Sequence, residues 1–317
     1  MAQRLITVFG GSGFLGRYVV RRLAERGDRV RVAVRRPNLG LFLKPMGDVG
    51  QIELRAANVL YTESIENAVA GADAVVNLVG VLSEFRRQRF GAIHAAGARR
   101  IAEASADAGA RTLTHVSAIG ADPQAASKYA RSKGEGELAV KDAFPTATIF
   151  RPSLLIGPED DFFNRFARLS KLSPALPIVG GKTRFQPVCV DDVAAAIVQA
   201  VDGGKNVAGK TFELGGPEIW TLRQLLEIMM SYTGVKRPII DLPPVLAAIP
   251  AALTGWLPNP PITLDQIRML RRDNVVGEGA AGFEKLGLTP SPIQVVLPTY
   301  LARYHAKGRP PQPRSGV

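Results

Sequence analysis

Three polar residues in the middle of the chain have the types and the spacing of a proton-transfer group. Tyr129 and Lys133 are four residues apart, so a helix would place both side chains on one face. An ammonium group one turn away would stabilise a phenolate and lower the pKa of Tyr129 from its ordinary value of about 10. Ser117, at the predicted end of a strand, would hydrogen-bond the same substrate oxygen. We therefore predict that Ser117, Tyr129 and Lys133 are catalytic residues that exchange a proton with a carbinol or a carbonyl.

A glycine-rich turn near the N-terminus predicts a nucleotide site. Residues 5–9 are an apolar run rich in β-forming residues, as in a strand that is buried on both faces. Three glycines follow at G-x-x-G-x-x-G spacing, directly before a helical apolar pattern. Such a turn lets the backbone approach a pyrophosphate at the N-terminus of the helix, although a tight turn with no ligand is the alternative. The predicted cofactor-binding residues of this turn are Gly10, Ser12, Gly13, Phe14, Leu15 and Gly16.

The end of the second predicted strand indicates which nucleotide is bound. Residues 29–34 form this strand, and Arg35 and Arg36 follow it directly. In a dinucleotide-binding unit an acidic residue at this position binds the 2′-hydroxyl of NAD, whereas arginine accommodates the 2′-phosphate of NADP. No carboxylate lies between Arg29 and Lys44. The predicted cofactor is therefore NADP(H), and the alternative is a solvated arginine pair.

Strand-like and helical patterns alternate through the first half of the chain, which predicts parallel βαβ units. The expected fold is α/β: a doubly wound parallel Rossmann sheet with a smaller C-terminal α/β lobe. We place the NAD(P)-binding domain at residues 1–155 and the lobe, partly interleaved with it, at 156–306. Residues 307–317 are a basic, Pro-rich tail that we expect to be disordered until bound. Local patterns also predict one long helix over residues 85–108, and a helix from residue 62 with Thr62 as its N-cap.

Composition limits the classes of function. The single cysteine, Cys189, excludes an intramolecular disulfide, and no metal site is predicted. The net charge of +12 fits solubility, an acidic partner or an anionic lipid surface. Nucleic acid is the least favoured partner, because no aromatic-interleaved motif accompanies the basic residues. The longest apolar stretch, residues 242–257, contains three prolines and is too short to span a bilayer, so we expect a soluble or peripheral protein. The Pro-rich segment 234–262 is either a packed lobe or an interfacial surface with Trp256 at its edge.

The glycine turn, the Ser–Tyr–Lys group and the R-P-x-x-x-x-G-P segment that begins at Arg151 together resemble the extended and atypical short-chain dehydrogenase/reductase (SDR) superfamily. The V-x-D-D-V-A pattern around Asp191 is also typical of extended SDRs, where it is structural. The resemblance implies that Lys133 and Tyr129 also hold the nicotinamide ribose. It implies further cofactor contacts near the adenine, beside the ribose and along the nicotinamide, made by Asn58, Val59, Leu78, Val79, Gly80, Pro152 and Ser153.

Longer stretches, among them residues 13–23, 128–169 and 180–201, look like one branch of that superfamily. They are similar to the NADPH-binding, SDR-like accessory subunit of respiratory complex I (NADH:ubiquinone oxidoreductase). The resemblance implies a tightly held structural nucleotide and partners among the peripheral-arm subunits near the membrane junction. Because a strand begins close to Met1, we expect no targeting peptide. That expectation favours a bacterial version, peripheral on the cytoplasmic face of the inner membrane.

Two hypotheses about function follow. The first is a non-catalytic NADP(H)-binding accessory or assembly subunit of complex I. The second is an active NAD(P)H-dependent reductase, epimerase or dehydratase, because Ser117, Tyr129 and Lys133 are all present. In the second hypothesis Tyr129 is the acid/base, and Arg184 is a candidate to contact an anionic substrate group.

Overall fold

The apolar run at the N-terminus forms the first strand, and its side chains from Ile6 to Phe9 are buried. The computed structural model describes residues 3–85, 88–254 and 262–305. Trp256, which lies at the edge of the surface in one of the two interpretations of segment 234–262, is outside these ranges. The tail at 307–317, which we expect to be disordered until bound, is also outside them. The strands are β1 (Leu5–Phe9), β2 (Arg29–Val34), β3 (Ile52–Ala56), β4 (Ala74–Asn77), β5 (Thr112–Val116), β6 (Thr148–Pro152), β7 (Leu155–Ile156), β8 (Leu176–Ile178), β9 (Arg184–Phe185), β10 (Val188–Cys189), β11 (Thr211–Leu214), β12 (Trp220–Thr221) and β13 (Ile239–Asp241).

The α-helices are α1 (Phe14–Glu25), α2 (Thr62–Val69), α3 (Ala96–Asp107), α4 (Lys128–Ala143), α5 (Phe162–Leu172), α6 (Val190–Ala200), α7 (Leu222–Thr233), α8 (Pro244–Thr254), α9 (Leu264–Met269), α10 (Ile293–Val296) and α11 (Pro298–Leu301). Short 3₁₀ helices cover Pro37–Met46, Phe283–Leu286 and Ala302–Tyr304, and a π-helix covers Gly91–Ala95. No helix within the described ranges has both the length and the apolar character needed to cross a bilayer.

A seven-stranded parallel sheet organises the first of two units. Its strand order is β11-β6-β5-β4-β1-β2-β3, so the chain starts in the middle of the sheet and winds outward in both directions. Helices flank the sheet: α1 packs on α6, and α2, α3 and α4 pack together. The unit consists of the described parts of Met1–Pro152, Val190–Leu214 and Val276–Thr289. The predicted α/β class with a doubly wound parallel sheet is confirmed.

The second unit consists of the described parts of Ser153–Cys189, Gly215–Val275 and Pro290–Val317. It contains three two-stranded sheets: β7 with β10, β8 with β13, and β9 with β12. Its largest core lies between α5, α7 and the C-terminal helices, where Phe163, Leu225 and Leu297 are fully buried.

Two predictions about helix starts are wrong. Thr62 is the first residue of α2 rather than its cap; Tyr61 occupies the cap position and makes no side-chain cap. The helix predicted from residue 85 begins later, because the backbones of Phe85 and Gln88 pair with each other as an isolated β-bridge. The π-helix and α3 follow this bridge and together form most of the predicted helix.

Candidate functional site

The glycine turn joins β1 to α1 with a geometry that larger residues would disturb. Gly10 has a φ of +77°, a left-handed conformation that favours glycine. Its N–H donates to the carbonyl of Ala33 at 3.1 Å, and the N–H of Gly13 donates to the Gly10 carbonyl at 2.9 Å. A Cβ at Gly16 would overlap the Gly10 carbonyl oxygen and lie 2.6 Å from the Gly11 Cα. The close contact at Gly16 therefore holds the start of α1 against the turn.

The N-terminus of α1 is open to an anion. Gly13 occupies the cap position, no side chain caps the helix, and its first turn contains no acidic residue. The first N–H groups of a helix lack intrahelical acceptors and lie at the positive end of its dipole. This end of α1 therefore offers backbone donors to a phosphate, as the sequence predicts.

Arg35 and Arg36 follow β2 and are both exposed. Neither forms an ion pair with another residue that the structure describes. Arg31 on the same strand differs, because it pairs with Glu53 and is buried. The two predicted 2′-phosphate ligands thus keep their charge available.

The other predicted nucleotide contacts in this unit lie at the carboxyl ends of neighbouring strands or just beyond them. Asn58 accepts the N–H of Leu60 with its side-chain oxygen at 3.1 Å, and the next residue, Val59, is buried. The N–H of Leu78 donates to the carbonyl of Phe9 at 3.0 Å. The backbone of Leu78 also comes within 3.3 Å of where a Cβ at Gly10 would lie. The structure therefore brings the segment after β4 directly against the glycine turn.

Val79 and Gly80 continue that segment toward the predicted catalytic residues. The N–H of Val79 donates to the side-chain oxygen of Asn77 at 3.1 Å, which fixes the backbone at the end of β4. Gly80 is exposed, and a Cβ on it would lie 3.4 Å from the Nζ of Lys133. Gly80 and Lys133 are thus close neighbours, although 53 residues separate them in the sequence.

Ser117 has a buried hydroxyl group that lacks a partner. The residue follows β5, is 4% exposed, and its N–H donates to the carbonyl of Phe150 at 2.7 Å. Its Oγ has no hydrogen-bond partner among the residues that the structure describes. A buried hydroxyl without a partner costs about 1–3 kcal/mol, so a ligand oxygen at this position would remove that cost.

Lys133 is buried on α4, and its Nζ donates to the carbonyl of Val116 at 3.1 Å. That bond connects the lysine to the strand end next to Ser117. Burial lowers the pKa of Lys133 to about 8, and the nearby carboxylate of Glu137 opposes this shift. The ammonium form is therefore only moderately favoured at neutral pH, so a bound anion or hydroxyl acceptor would stabilise it.

Tyr129 lies one turn before Lys133 and packs against two rings. Its ring is edge-to-face with Phe90 at 5.8 Å and with His94 at 5.5 Å between centroids. Burial raises the pKa of Tyr129 to about 12. The predicted lowering of this pKa by Lys133 is therefore wrong for the chain alone, because burial desolvates the phenolate and raises the pKa.

Arg151 belongs to the segment that the resemblance places along the nicotinamide, but its side chain points to two carboxylates. It donates to Glu137 at 2.8 and 2.6 Å and to Glu213 at 3.2 Å. Pro152 ends β6, and its carbonyl accepts the N–H of Ile119 at 3.2 Å. Arg151 therefore has a structural role in the first unit, next to the helix that presents Lys133.

Two predicted residues belong to the second unit. The Ser153 hydroxyl donates to the side-chain oxygen of Asn274 at 2.6 Å. Arg184, a candidate substrate contact in the enzyme hypothesis, forms an ion pair with Asp273 at 2.7 Å. Both side chains already have partners within their own unit, and for Arg184 this partner neutralises the charge that a substrate would need.

Asp191 has a structural role, as the sequence predicts. It lies in the first turn of α6 and accepts hydrogen bonds from Arg22 at 2.8 and 2.7 Å and from Arg21 at 3.0 Å. Burial alone would raise the pKa of Asp191, but the two guanidinium groups hold it below its ordinary value. The carboxylate therefore joins α1 to α6 and is not a free acid or base.

His94 and Ser132 are site residues that the sequence interpretation missed. A lone histidine in a helix is more often structural, and no motif connects it to Ser132, 38 residues later. In the structure both contact Tyr129, through the His94 ring and the Ser132 hydroxyl. Only the tertiary packing of the π-helix on α4 brings them together.

The first unit thus combines four features that suit a nucleotide ligand: a glycine turn, a helix N-terminus without a side-chain cap, two exposed arginines and, within the described residues, a buried hydroxyl without a partner. Within the described ranges no group of His, Cys, Asp and Glu side chains has the arrangement of a metal site. The arrangement can hold a pyrophosphate at α1, a ribose phosphate at β2 and a hydroxyl or carbonyl oxygen near Ser117.

Comparison with known proteins defines the class. Residues 6–215 match the NAD dependent epimerase/dehydratase family, and the chain belongs to that family. The predicted membership of the extended SDRs is confirmed. Members of this family and structural neighbours bind NAD(P). A solved structure of a dTDP-glucose 4,6-dehydratase from Streptomyces venezuelae, with NAD bound, has the same fold, with a TM-score of 0.72 and 19% identity over 96% of this chain and 100% of that chain.

Two curated relatives are similar over nearly the whole chain. The "NADH dehydrogenase [ubiquinone] 1 alpha subcomplex subunit 9, mitochondrial" of Arabidopsis thaliana is 38% identical, over 95% of this chain and 78% of that protein. The protein of the same name from Mus musculus is 35% identical, over 94% of this chain and 80% of that protein. The branch-level resemblance predicted from the sequence is therefore confirmed.

Proposed function

We propose that this chain is an accessory or assembly subunit of respiratory complex I (NADH:ubiquinone oxidoreductase), in which it holds NADP(H) without turning over a substrate. The observation on which the proposal rests is its similarity, over most of both chains, to two subunits of that complex. The intact glycine turn and the open N-terminus of α1 support retention of the nucleotide. The partners that we propose are peripheral-arm subunits near the membrane junction.

The choice of NADP(H) over NAD(H) is supported by Arg35 and Arg36. Both residues are exposed, and arginine forms charge-assisted hydrogen bonds with phosphate. NAD lacks the 2′-phosphate and therefore cannot accept these hydrogen bonds. We therefore assign the 2′-phosphate to these two residues and the pyrophosphate to the turn from Gly10 to Gly16.

The remaining residues hold and orient the other half of the nucleotide. A bound nicotinamide dinucleotide would supply hydride-transfer chemistry. Because the pKa of Tyr129 is about 12, its phenol stays protonated at neutral pH and can donate a hydrogen bond. Lys133 can donate from its Nζ while it remains bonded to the carbonyl of Val116. Both side chains therefore suit a protein that binds the ribose hydroxyls without catalysis.

The second candidate is an NAD(P)H-dependent reductase, epimerase or dehydratase. The buried hydroxyl of Ser117, which lacks a hydrogen-bond partner within the described part of the chain, favours this candidate, since a substrate oxygen would satisfy it. In this function Tyr129 exchanges the proton with the substrate. A Tyr129→Phe variant that binds the nucleotide normally and leaves every measurable turnover unchanged would exclude it.

A membrane contact is the other part of the proposal. Helix α8 contains no charged residue, and four of its large aliphatic side chains are exposed: Val245, Leu246, Ile249 and Leu253. An apolar exposed helix face together with a net charge of +12 suits the surface of a membrane with anionic lipids. We propose that the chain is peripheral, on the membrane face from which the peripheral arm extends; in a bacterium this is the cytoplasmic face of the inner membrane.

Mass analysis of the native assembly tests the function. Membranes are solubilised gently and complexes are separated in the native state. Nucleotides are then extracted in parallel with acid, which preserves the oxidised forms, and with alkali, which preserves the reduced forms. We expect the chain to migrate with complex I and to retain NADP(H). Migration of the chain alone, without complex I subunits, would contradict the accessory function, and extraction of NAD(H) instead would contradict the cofactor assignment.

A further inference from the structure

His94 connects two segments of the nucleotide site through its imidazole ring. Its Nε2 accepts the backbone N–H of Val81 at 2.9 Å, so this nitrogen has no proton. The proton of the neutral ring must then be on Nδ1, which donates to the Oγ of Ser132 at 2.9 Å. The Ser132 hydroxyl in turn donates to the backbone carbonyl of Tyr129 at 2.8 Å. The backbone amide of Val81 therefore dictates the direction of every bond in this chain.

The ring stays neutral over the physiological pH range. Burial, together with the positive charge of Lys133, lowers the pKa of His94 to about 3. A charged imidazole could not accept the N–H of Val81, so neutrality is a condition of the network. Position 94 therefore requires one acceptor and one donor at a fixed separation.

The two ends of this hydrogen-bond network, Val81 and Ser132, lie next to predicted nucleotide-binding residues. Val81 directly follows Gly80, where a Cβ would lie 3.4 Å from the Nζ of Lys133. Ser132 lies on α4 between Tyr129 and Lys133. His94 thus joins the segment after β4 to the helix turn that presents both predicted ribose-binding side chains.

The packing around His94 leaves little freedom for this connection to shift. The residue lies in the π-helix, and its ring stacks on Phe90 at 5.4 Å between centroids. A Cβ at Gly136 would overlap the carbonyl oxygen of His94, so the backbones of α4 and the π-helix are in direct contact. π-helical turns occur often at functional sites.

We propose that His94 is a positioning residue for the nicotinamide-ribose half of the nucleotide site. It sets the separation between Gly80 and the Tyr129–Lys133 pair by bonding to Val81 on one side and to Ser132 on the other. The proposal rests on the nucleotide binding proposed above. It assigns no contact between His94 and the nucleotide itself.

The test compares two ligands by isothermal titration calorimetry. NADPH occupies both halves of the site, whereas 2′,5′-ADP would occupy only the half formed by the glycine turn and the two arginines. His94→Leu keeps much of the ring volume but leaves the Val81 N–H without its acceptor. We expect NADPH to bind about tenfold more weakly, as for the loss of a buried hydrogen bond, and 2′,5′-ADP to bind within about twofold of the wild type.

His94→Gln is the matched control, because its amide offers an acceptor to Val81 and a donor to Ser132. We expect it to recover most of the NADPH affinity. Ser132→Ala removes one link with a smaller change in the core, and it should weaken NADPH selectively by about threefold. This second variant keeps the test informative if His94→Leu does not fold.

Three outcomes would overturn the proposal. In the first, His94→Leu and Ser132→Ala bind NADPH as tightly as the wild type. In the second, both variants lose NADPH and 2′,5′-ADP equally, which indicates general destabilisation. In the third, the wild type binds neither ligand; this outcome overturns the proposed nucleotide binding as well and is thereby distinguished from the other two.

Discussion

Arg151 donates two hydrogen bonds to the carboxylate of Glu137, from Nε at 2.8 Å and from Nη2 at 2.6 Å. The Glu137 side chain is 5% exposed, and its helix also presents Lys133, one turn earlier. Arg151 is the last residue but one of β6, so this pair attaches α4 to the sheet. A bidentate pair at this position fixes the height and the rotation of the helix that forms the site.

The first prediction concerns the stability of this pair. Arg151→Met leaves the buried carboxylate of Glu137 without its main partner, so the free energy of unfolding should fall by about 3–5 kcal/mol. Arg151→Met combined with Glu137→Leu removes both charges and should lose less than Arg151→Met alone. Urea denaturation, followed by circular dichroism, measures the free energy of unfolding of the wild type, of the two single variants and of the double variant. Losses that add independently would show that the two residues are not coupled.

The second prediction concerns the glycine turn. In Gly16→Ala the added methyl group meets the backbone of Gly10 and Gly11, which cannot move without disturbing β1. We expect a loss of about 1–3 kcal/mol of stability, as for overpacking of a core, and weaker binding of NADPH. Gly91→Ala is a suitable control, because a Cβ there meets no atom within 4 Å. Equal effects of the two substitutions on NADPH binding would contradict the role given to Gly16.

Local sequence patterns predict the parts of the fold that are determined by residues close to one another in the chain. β2 has the predicted bounds, Arg29–Val34, and Thr221 caps α7 in a full capping box with Gln224. Residues 186–190 have a strand-like pattern, but the strand at this position, β10, covers only Val188–Cys189. Its length depends on pairing with β7, which is itself two residues long, and no local pattern contains that information.

The candidate site likewise contains one part that local patterns predict and another part that depends on tertiary contacts. The spacing of Gly10, Gly13 and Gly16 is a local signal, and the turn has the predicted form. The pKa of Tyr129 and the network of His94 depend on contacts between segments that are far apart in the sequence. Residue types can predict that an ammonium group lies near a phenol, but only the packing shows that burial raises the pKa of that phenol.

The third prediction tests the choice of cofactor. Replacing both Arg35 and Arg36 with Ala removes the proposed 2′-phosphate ligands and should weaken NADPH about 10- to 100-fold, as for lost charge-assisted hydrogen bonds. Affinity for NADH should change little, because NADH lacks that phosphate. Arg29→Ala is a matched control, since Arg29 is an exposed arginine at the opposite end of the same strand. Parallel losses for NADPH and NADH would contradict the assignment.

The fourth prediction concerns stability in mild acid. Burial lowers the pKa values of His94 and His115 to about 3, so the folded state binds fewer protons than the unfolded state below about pH 6.5. Stability should therefore fall as the pH drops, by about 2 kcal/mol per histidine between pH 7 and pH 5. Urea midpoints measured across this range test the slope. His94→Gln has one titrating group fewer and should show a shallower slope; an unchanged slope would contradict the argument.

The fifth prediction concerns the exposed face of α8. Leu246 and Ile249 are 56% and 57% exposed, so replacing both with Ser should leave the fold intact. Each side chain contributes about 1.5–3 kcal/mol when fully buried, so the double variant should bind at least about tenfold more weakly to phosphatidylcholine vesicles containing phosphatidylglycerol. Leu138→Ser is the control, because Leu138 is 58% exposed on α4 of the first unit. Co-sedimentation measures binding. If neither the wild type nor the variant binds vesicles, while the variant fails to enter complex I, the α8 face contacts a protein subunit instead of lipid.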